Sequence, residues 1–416
     1  MSQPAPRHVV VVGAGMVGLS VAWFLQEAGV EVTVVDREGI AAGSSWGNAG
    51  WVSPGLAIPL PEPSVLRYGL RNLLRADSPL FVPPALDLSV ASFLVKFARH
   101  CTEQGWKKAM EAYIPLNNQA LEAFDLLAGA GAGLESKAAP IMAAFRRREE
   151  ASELLGELEM INRAGQIVQS QELGGAELRK SLPGLSEAVD FGVRIDGQRY
   201  IDPGAFTAAL GATVLRRGAI LITNKIVEQV RRDADAVVIR TDDGTEIRGD
   251  VGVLAVGAWM NSLAKPLGVK MPVQAGRGYS FLVPVSETVA FPIYFPAVRV
   301  ACTPMGERTL RVAGTMEFRA PDFRLDPARV AAIVRSAVPL LEGVDWDSKR
   351  ADWVGPRPVT ADGMPLIGQS KMPGVYIAGG HGMWGITLGP VTGKLLARQI
   401  VTGEIPDELR PFDPIR

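Results

Sequence analysis

The sequence predicts an α/β domain with a parallel sheet, assembled from both ends and the middle of the chain, into which a mixed α+β domain is inserted. Three observations predict it. Valine-rich strand-like runs ending in an acidic residue or running into glycine occur near residues 10, 33, 254 and 377. The first two are joined by a segment with helical periodicity. The stretches between the others change from helical patterning to short β runs broken by turn residues. At 416 residues the chain also exceeds what one hydrophobic core serves, so two packed domains are expected.

In chain order, Val9–Val12 is all β-branched, which suits a strand buried on both faces of a parallel sheet. After the glycines, Val17, Val21, Phe24, Leu25 and Ala28 recur at helical spacing, and Gly29 follows as a C-cap. "VEVTVVD" reads as a second strand ending at Asp36, which completes a right-handed βαβ unit. Residues 39–63 form a loop rich in Gly, Ser, Asn and Pro, and loops of that length are usually functional. Helical periodicity from Asp87 to Leu127 predicts two helices with a break near Pro115. "GAFTAALGATVLRRG" is a helix closed by Gly218, and "KIVEQVRR", "AVVIRT" and "TEIRG" form a three-stranded meander. "VGVLAVGAW" reads as a buried parallel strand, "YSFLVPV" and "TLRVAGTMEF" as further strands, and Ala328–Leu341 as a helix. Finally, Val375–Ala378 is a strand, Gly379–Gly385 a glycine-rich turn and Leu388–Val401 a helix.

Composition narrows the function. Hydrophobic residues make up 47% and charged residues 21%, with a net charge of −1 and no long run of one sign. Nucleic acid and a polybasic membrane anchor are therefore not expected. Cys101 and Cys302 have neither metal nor disulfide spacing and read as buried thiols. Three histidines, His8, His100 and His381, leave little from which to build a metal site. The first apolar run reads as a strand rather than a signal peptide. No run reaches the roughly 18 apolar residues of a membrane span. The expected location is the cytoplasm.

Gly13-x-Gly15-x-x-Gly18, placed between strand and helix, is the dinucleotide fingerprint of a Rossmann-like domain. Gly13 permits the turn, Gly15 lets a pyrophosphate approach the backbone, and Gly18 lets helix and strand pack. Asp36 is placed for ribose hydroxyls and disfavours a 2′-phosphate. In "SSWGNAGWVSPG", Ser44 and Ser45 are candidates for phosphate oxygens, and the backbone at Asn48–Gly50 for close approach to a flat ring. The turn alone does not decide between a nicotinamide and a flavin.

The chain resembles the D-amino-acid dehydrogenase group of FAD-dependent amine and amino-acid oxidoreductases, relatives of glycine oxidase and D-amino-acid oxidase. The resemblance rests on "VVGAGMVGLSVAWFLQEAGVEVTVVDR", "SSWGNAGWVSPG", "YIDPGAF", "VLAVGAW", "RGYSF", "LRVAGTMEF", "GPRPVTADGMPLIG" and "YIAGGHGMWGITLGPVTGKLLA", in that order. It implies a resident FAD in a glutathione-reductase-like domain formed by residues 1–85, 195–265 and 350–416. The substrate domain would be 86–194 and 266–349, and residues 64–190 match loosely. The implied cofactor contacts are Gly13, Ala14, Gly15, Val17, Gly18, Asp36, Arg37, Ser44, Ser45, Asn48, Ala49, Gly50 and Val52 from the N-terminal part. From the middle come Ile226 and Val227 at the adenine, with Ala255, Gly257 and Trp259. From the C-terminal part come Gly355, Gly379, Gly380, His381, Gly382, Gly385, Ile386, Thr387 and Leu388, and the helix N-terminus there would stabilise negative charge on the reduced ring.

The implied reaction moves a hydride from the α-carbon of a D-amino acid, or of a secondary amino acid such as a hydroxyproline or an N-substituted glycine, to flavin N5. An imino acid results and is hydrolysed to a 2-oxo acid and ammonia. Electrons would pass to a quinone or other carrier, with O₂ as the alternative acceptor; a non-catalytic FAD-fold binding protein is the remote alternative. Arg357 is the candidate partner of the substrate carboxylate, since arginine stays charged and forms two parallel hydrogen bonds. Tyr279 is a candidate second donor or a core residue, Trp384 and Trp51 are candidate walls, and His381 is a candidate base or a shaper of the turn. Glu317 is placed for the substrate amine or an interdomain partner, and Arg277 reads as structural. The Pro-rich "AIPLPEP" is the one hint of a peripheral membrane contact at the inner face.

Overall fold

The computed structural model describes residues 5–66, 80–81, 88–131 and 133–416. Its first sheet runs, in spatial order, Ile220–Ile222, Glu31–Val35, His8–Val12, Val251–Leu254, Val375–Gly379 and Leu366–Gln369. The first five strands are parallel, and the last returns antiparallel beside Val375–Gly379. Val9, Val10 and Val11 are fully buried, as a central strand covered on both faces requires. Ile220–Ile222 was not expected: it is a three-residue edge strand, too short to carry a periodic signal.

Helices Met16–Glu27 and Gly385–Thr402 cover one face of this sheet and lie against each other. They touch backbone to backbone because the later helix carries glycine at the crossing. A Cβ at Gly389 would lie 2.7 Å from the Met16 side chain, and one at Gly393 2.6 Å from the Ser20 carbonyl carbon. The close crossing brings the two ends of the chain together. The expected meander, Val227–Asp233, Ala236–Thr241 and Glu246–Gly249, packs on the opposite face.

Among the described residues the second domain is built on a nine-stranded mixed sheet. Its long strands Val273–Pro284, Thr309–Phe318 and Arg350–Thr360 are adjacent and antiparallel. Strand Arg350–Thr360 thus belongs to the large sheet, although the expected boundary placed it with the nucleotide domain. The expected boundary at 85–86 lies outside the described residues.

The helical region breaks at Cys101–Thr102, not at Pro115. Thr102 caps the helix Glu103–Ala128, its side chain accepting the Gly105 N–H at 3.0 Å, and Pro115 sits inside that helix. A side-chain cap at a helix start therefore decided the boundary where proline did not. Both cysteines are free and buried. The Pro-rich stretch begins inward: Ala57 is fully buried and Ile58 nearly so. No helix among the described residues is long and apolar enough to cross a membrane.

Candidate active site

Two cavities meet between the sheets. The outer one, of about 520 Å³, runs along the C-terminal ends of the parallel strands, past Gly13, Asp36, Ser45, Ala255 and Gly379. The inner one, of about 240 Å³, is walled by Trp51, Ile58, Tyr294, Trp384 and Thr315. Asn48, Arg357 and Met383 line both.

The outer cavity is shaped by glycine. Gly13 has φ +113°, and a Cβ there would lie 2.4 Å from the Ala255 carbonyl oxygen; one at Gly18 would lie 1.9 Å from the Gly13 oxygen. The helix that follows begins at Met16 with no side-chain bond from its N-cap residue Gly15, and the last helix begins at Gly385 with none from its N-cap residue Trp384. Free N–H groups at helix starts are suited to negative charge. Ser45 accepts the Met16 N–H at 3.0 Å, which leaves the hydroxyl proton free to donate into the cavity. Ser44 instead donates to the Pro356 carbonyl and pins the loop to the long strand.

Asp36 organises the backbone around the first turn. Oδ2 accepts the Ala14 N–H at 2.8 Å, and Oδ1 accepts the Glu38 and Gly39 N–H groups, each at 2.8 Å. The loop at 46–48 is clamped by Arg311, whose Nη1 donates to the Trp46 carbonyl at 3.0 Å, and by Ser280, whose hydroxyl donates to the Gly47 carbonyl at 2.7 Å. Trp353 is held between two glycines: a Cβ at Gly47 or at Gly355 would lie 2.0 Å from its ring. At the mouth, Trp259 Nε1 donates to both Asp322 oxygens at 3.1 and 3.0 Å. Arg37 pairs with the same carboxylate at 3.2 Å and lies over the Trp259 ring.

Of the expected cofactor residues, Gly13, Gly15, Val17, Asp36, Arg37, Ser44, Ser45, Asn48, Val227, Ala255, Gly257, Trp259, Gly379, His381, Gly382, Gly385 and Ile386 line the outer cavity. Ala14, Gly18, Gly50, Val52, Gly355, Gly380, Thr387 and Leu388 do not, and Ala49 lines the inner one. Their work is behind the wall. Thr387, for example, donates to the Trp51 carbonyl at 3.1 Å and accepts the Ser53 N–H at 3.2 Å. Sequence reasoning missed Trp353, Asp322 and Met383, and, in the inner cavity, Glu62, Glu157, Tyr294 and Arg299.

Arg357 stands where the cavities join. It makes one hydrogen bond, from Nη1 to the Thr315 carbonyl at 3.3 Å, and no carboxylate pairs with it among the described residues. Burial pushes its guanidinium down to about 10, so it stays charged at neutral pH. Trp384 walls the inner cavity, its Nε1 donating to the Ile58 carbonyl at 2.7 Å. His381 is buried, its Nε2 sits 2.9 Å from the Thr392 hydroxyl, and burial pushes its pKa down to about 4.

Tyr279 is placed away from both cavities. It is 1% exposed, and its hydroxyl donates to Glu317 at 2.6 Å. Glu317 in turn pairs with Arg277 at 2.8 Å, both fully buried, and it lines neither cavity. The reason is strand alternation. Arg277, Tyr279 and Phe281 share the face opposite to Gly276, Gly278 and Ser280; of these small residues Gly278 meets Arg357 and Ser280 meets the 46–48 loop. That row of small residues at a spacing of two was a legible signal.

A cavity that glycines open at the strand ends, two helix starts at its wall and an acid at the end of the second strand together define a dinucleotide-binding protein. The chain belongs to the FAD dependent oxidoreductase family, which matches residues 8–399, and FAD is its cofactor. Among individual proteins, it is similar to the D-amino acid dehydrogenase of Xanthobacter autotrophicus, with 31% identity covering 96% of each chain. The D-amino acid dehydrogenase of Methylobacterium radiotolerans is 30% identical, covering 96% of this chain and 97% of the relative. The fold is that of glycine oxidase from Geobacillus kaustophilus, with a TM-score of 0.74, 22% identity and coverage of 100% and 99%. It is also that of L-proline dehydrogenase from P. horikoshii, with a TM-score of 0.67, 18% identity and coverage of 100% and 98%.

Proposed function

We propose that this enzyme oxidatively deaminates a D-amino acid or a related secondary amino acid, with Arg357 receiving the substrate carboxylate. The observation that carries the reading is the position of Arg357. A half-buried guanidinium without a counter-ion is unfavourable, and it stands at the boundary shared by a cofactor cavity and a smaller, aromatic-walled cavity. An incoming carboxylate supplies the missing partner. The relatives' dehydrogenase names support the same substrate class.

When bound, FAD supplies a two-electron acceptor for a hydride from the substrate α-carbon. The protein's part is orientation and exclusion of water. Arg357 fixes the acid group, while Trp51, Ile58, Tyr294 and Trp384 enclose the side chain. His381, neutral at physiological pH, keeps charge away from the last helix's start. The cofactor contacts follow the residues that line the outer cavity. Residues 1–85, 195–265 and 350–416 would form the cofactor side, sharing strand Arg350–Thr360 with the substrate sheet.

Electrons pass on to a quinone or other carrier, with O₂ as the alternative acceptor. Reaching a membrane quinone would require a peripheral contact, which vesicle sedimentation measures. The test of the function is anaerobic mixing of the holoenzyme with D-, L- and N-alkyl amino acids, followed by admission of air. Flavin bleaching by D- or secondary amino acids, with slow reoxidation in air, is expected. An absence of bleaching across the panel would overturn the reading.

A further inference from the structure

Strands Val273–Pro284 and Thr309–Phe318 pair with one slip, between Arg277 and Tyr279. Arg277 faces Glu317 and Tyr279 faces Gly314, so the single residue Gly278 stands against two, Thr315 and Met316. This is a β-bulge, a device that re-aims backbone groups beside sites. Its cost is visible. Thr315 has φ +54°, a left-handed conformation that a β-branched residue rarely adopts, and its buried hydroxyl has no hydrogen-bond partner. What the bulge accomplishes is equally visible: the Thr315 carbonyl is turned onto Nη1 of Arg357.

Gly278 completes the arrangement from the other side. A Cβ there would lie 2.2 Å from Nη2 and 2.3 Å from Cζ of Arg357, so the guanidinium rests on bare backbone. Gly278 is not among the residues with positive φ, so alanine is acceptable to the backbone and only space is lost. The atoms in the way are the end of a flexible side chain. An added methyl would therefore displace the guanidinium rather than break the strand.

We infer that Gly278 and Thr315 are positioning residues for the carboxylate site, the first by leaving room beneath the Arg357 guanidinium and the second by presenting a carbonyl to it. The inference rests on the reading of Arg357 given above. Both residues act through Arg357, and Thr315 also lines the inner cavity.

The experiment uses holoenzyme variants and the D-amino acid that bleaches the flavin fastest in the anaerobic panel. For Gly278→Ala, KM should rise about tenfold or more with kcat within about twofold and FAD retention unchanged, the signature of lost substrate binding. A KM within about twofold of the parent would overturn the role of Gly278. Adding Gly278→Ala to Arg357→Leu should change kcat/KM by less than about twofold, because the displaced group is already gone; a further tenfold loss would overturn the coupling. Thr315→Gly frees the backbone that aims the carbonyl, so it should raise Tm and raise KM about threefold or more, an effect that disappears in the Arg357→Leu background; an equal rise in that background, or none in either, would overturn the carbonyl's role. Unaltered substrate capture in Arg357→Leu alone would sink the functional reading itself, a result distinct from all of these.

Discussion

Gly393 of the last helix rests on Ser20 of the first, with a virtual Cβ only 2.6 Å from the Ser20 carbonyl carbon. The contact lines neither cavity, yet it fixes how closely the two helix starts approach a common ligand. Gly393→Val should push the helices apart, lower stability by roughly 1–3 kcal/mol as overpacking does, and weaken FAD retention. Tm and flavin content after gel filtration measure both. Normal flavin content would separate the crossing from the site.

Arg357→Leu should leave FAD bound, since the outer cavity's glycines and helix starts are untouched. Substrate capture should fall by roughly 3–5 kcal/mol in kcat/KM, the scale for removing one partner of a buried charge pair. Stopped-flow reduction against substrate concentration reads it.

The clasp of Asp322 on Trp259 and Arg37 reaches across the cavity mouth from the segment after strand Thr309–Phe318. Asp322→Ala should release FAD faster while leaving the hydride step unchanged. The effect should be small, about 1 kcal/mol or less, because the carboxylate is largely exposed. Flavin fluorescence after dilution follows the release.

His381 gives stability a pH dependence. Burial holds its folded-state pKa near 4, below the ordinary value of 6.5. Between these values the unfolded chain binds the proton and the folded one does not, so unfolding gains as pH falls. The stability is full above about 6.5 and is lost downward to about 4, at no more than about 1.4 kcal/mol per pH unit. His381→Gln should flatten that part of a Tm-against-pH curve.

What was legible in the sequence was local. Gly13, Gly15, Gly18 and Asp36 lie within one βαβ unit, where spacing alone sets geometry, and the turn at Gly379–Gly385 has the same character. Roles that depend on pairing between distant strands were not legible. Tyr279 looked like a donor beside an arginine, but register puts its ring on the core face. The hydroxyls of Ser44 and Thr387 also tie the loop to segments hundreds of residues away, which spacing does not show. The inner cavity's Glu62, Glu157 and Arg299 come from three separated segments with no motif in common.

Trp353, wedged between Gly47 and Gly355, lines the same cavity as Trp259. Indole emission overlaps the absorption of a flavin, so two rings at these places make the protein its own optical gauge. The polypeptide stripped of cofactor should glow in the near ultraviolet and dim as the cavity fills. Titration by that signal counts loaded molecules before any turnover is known.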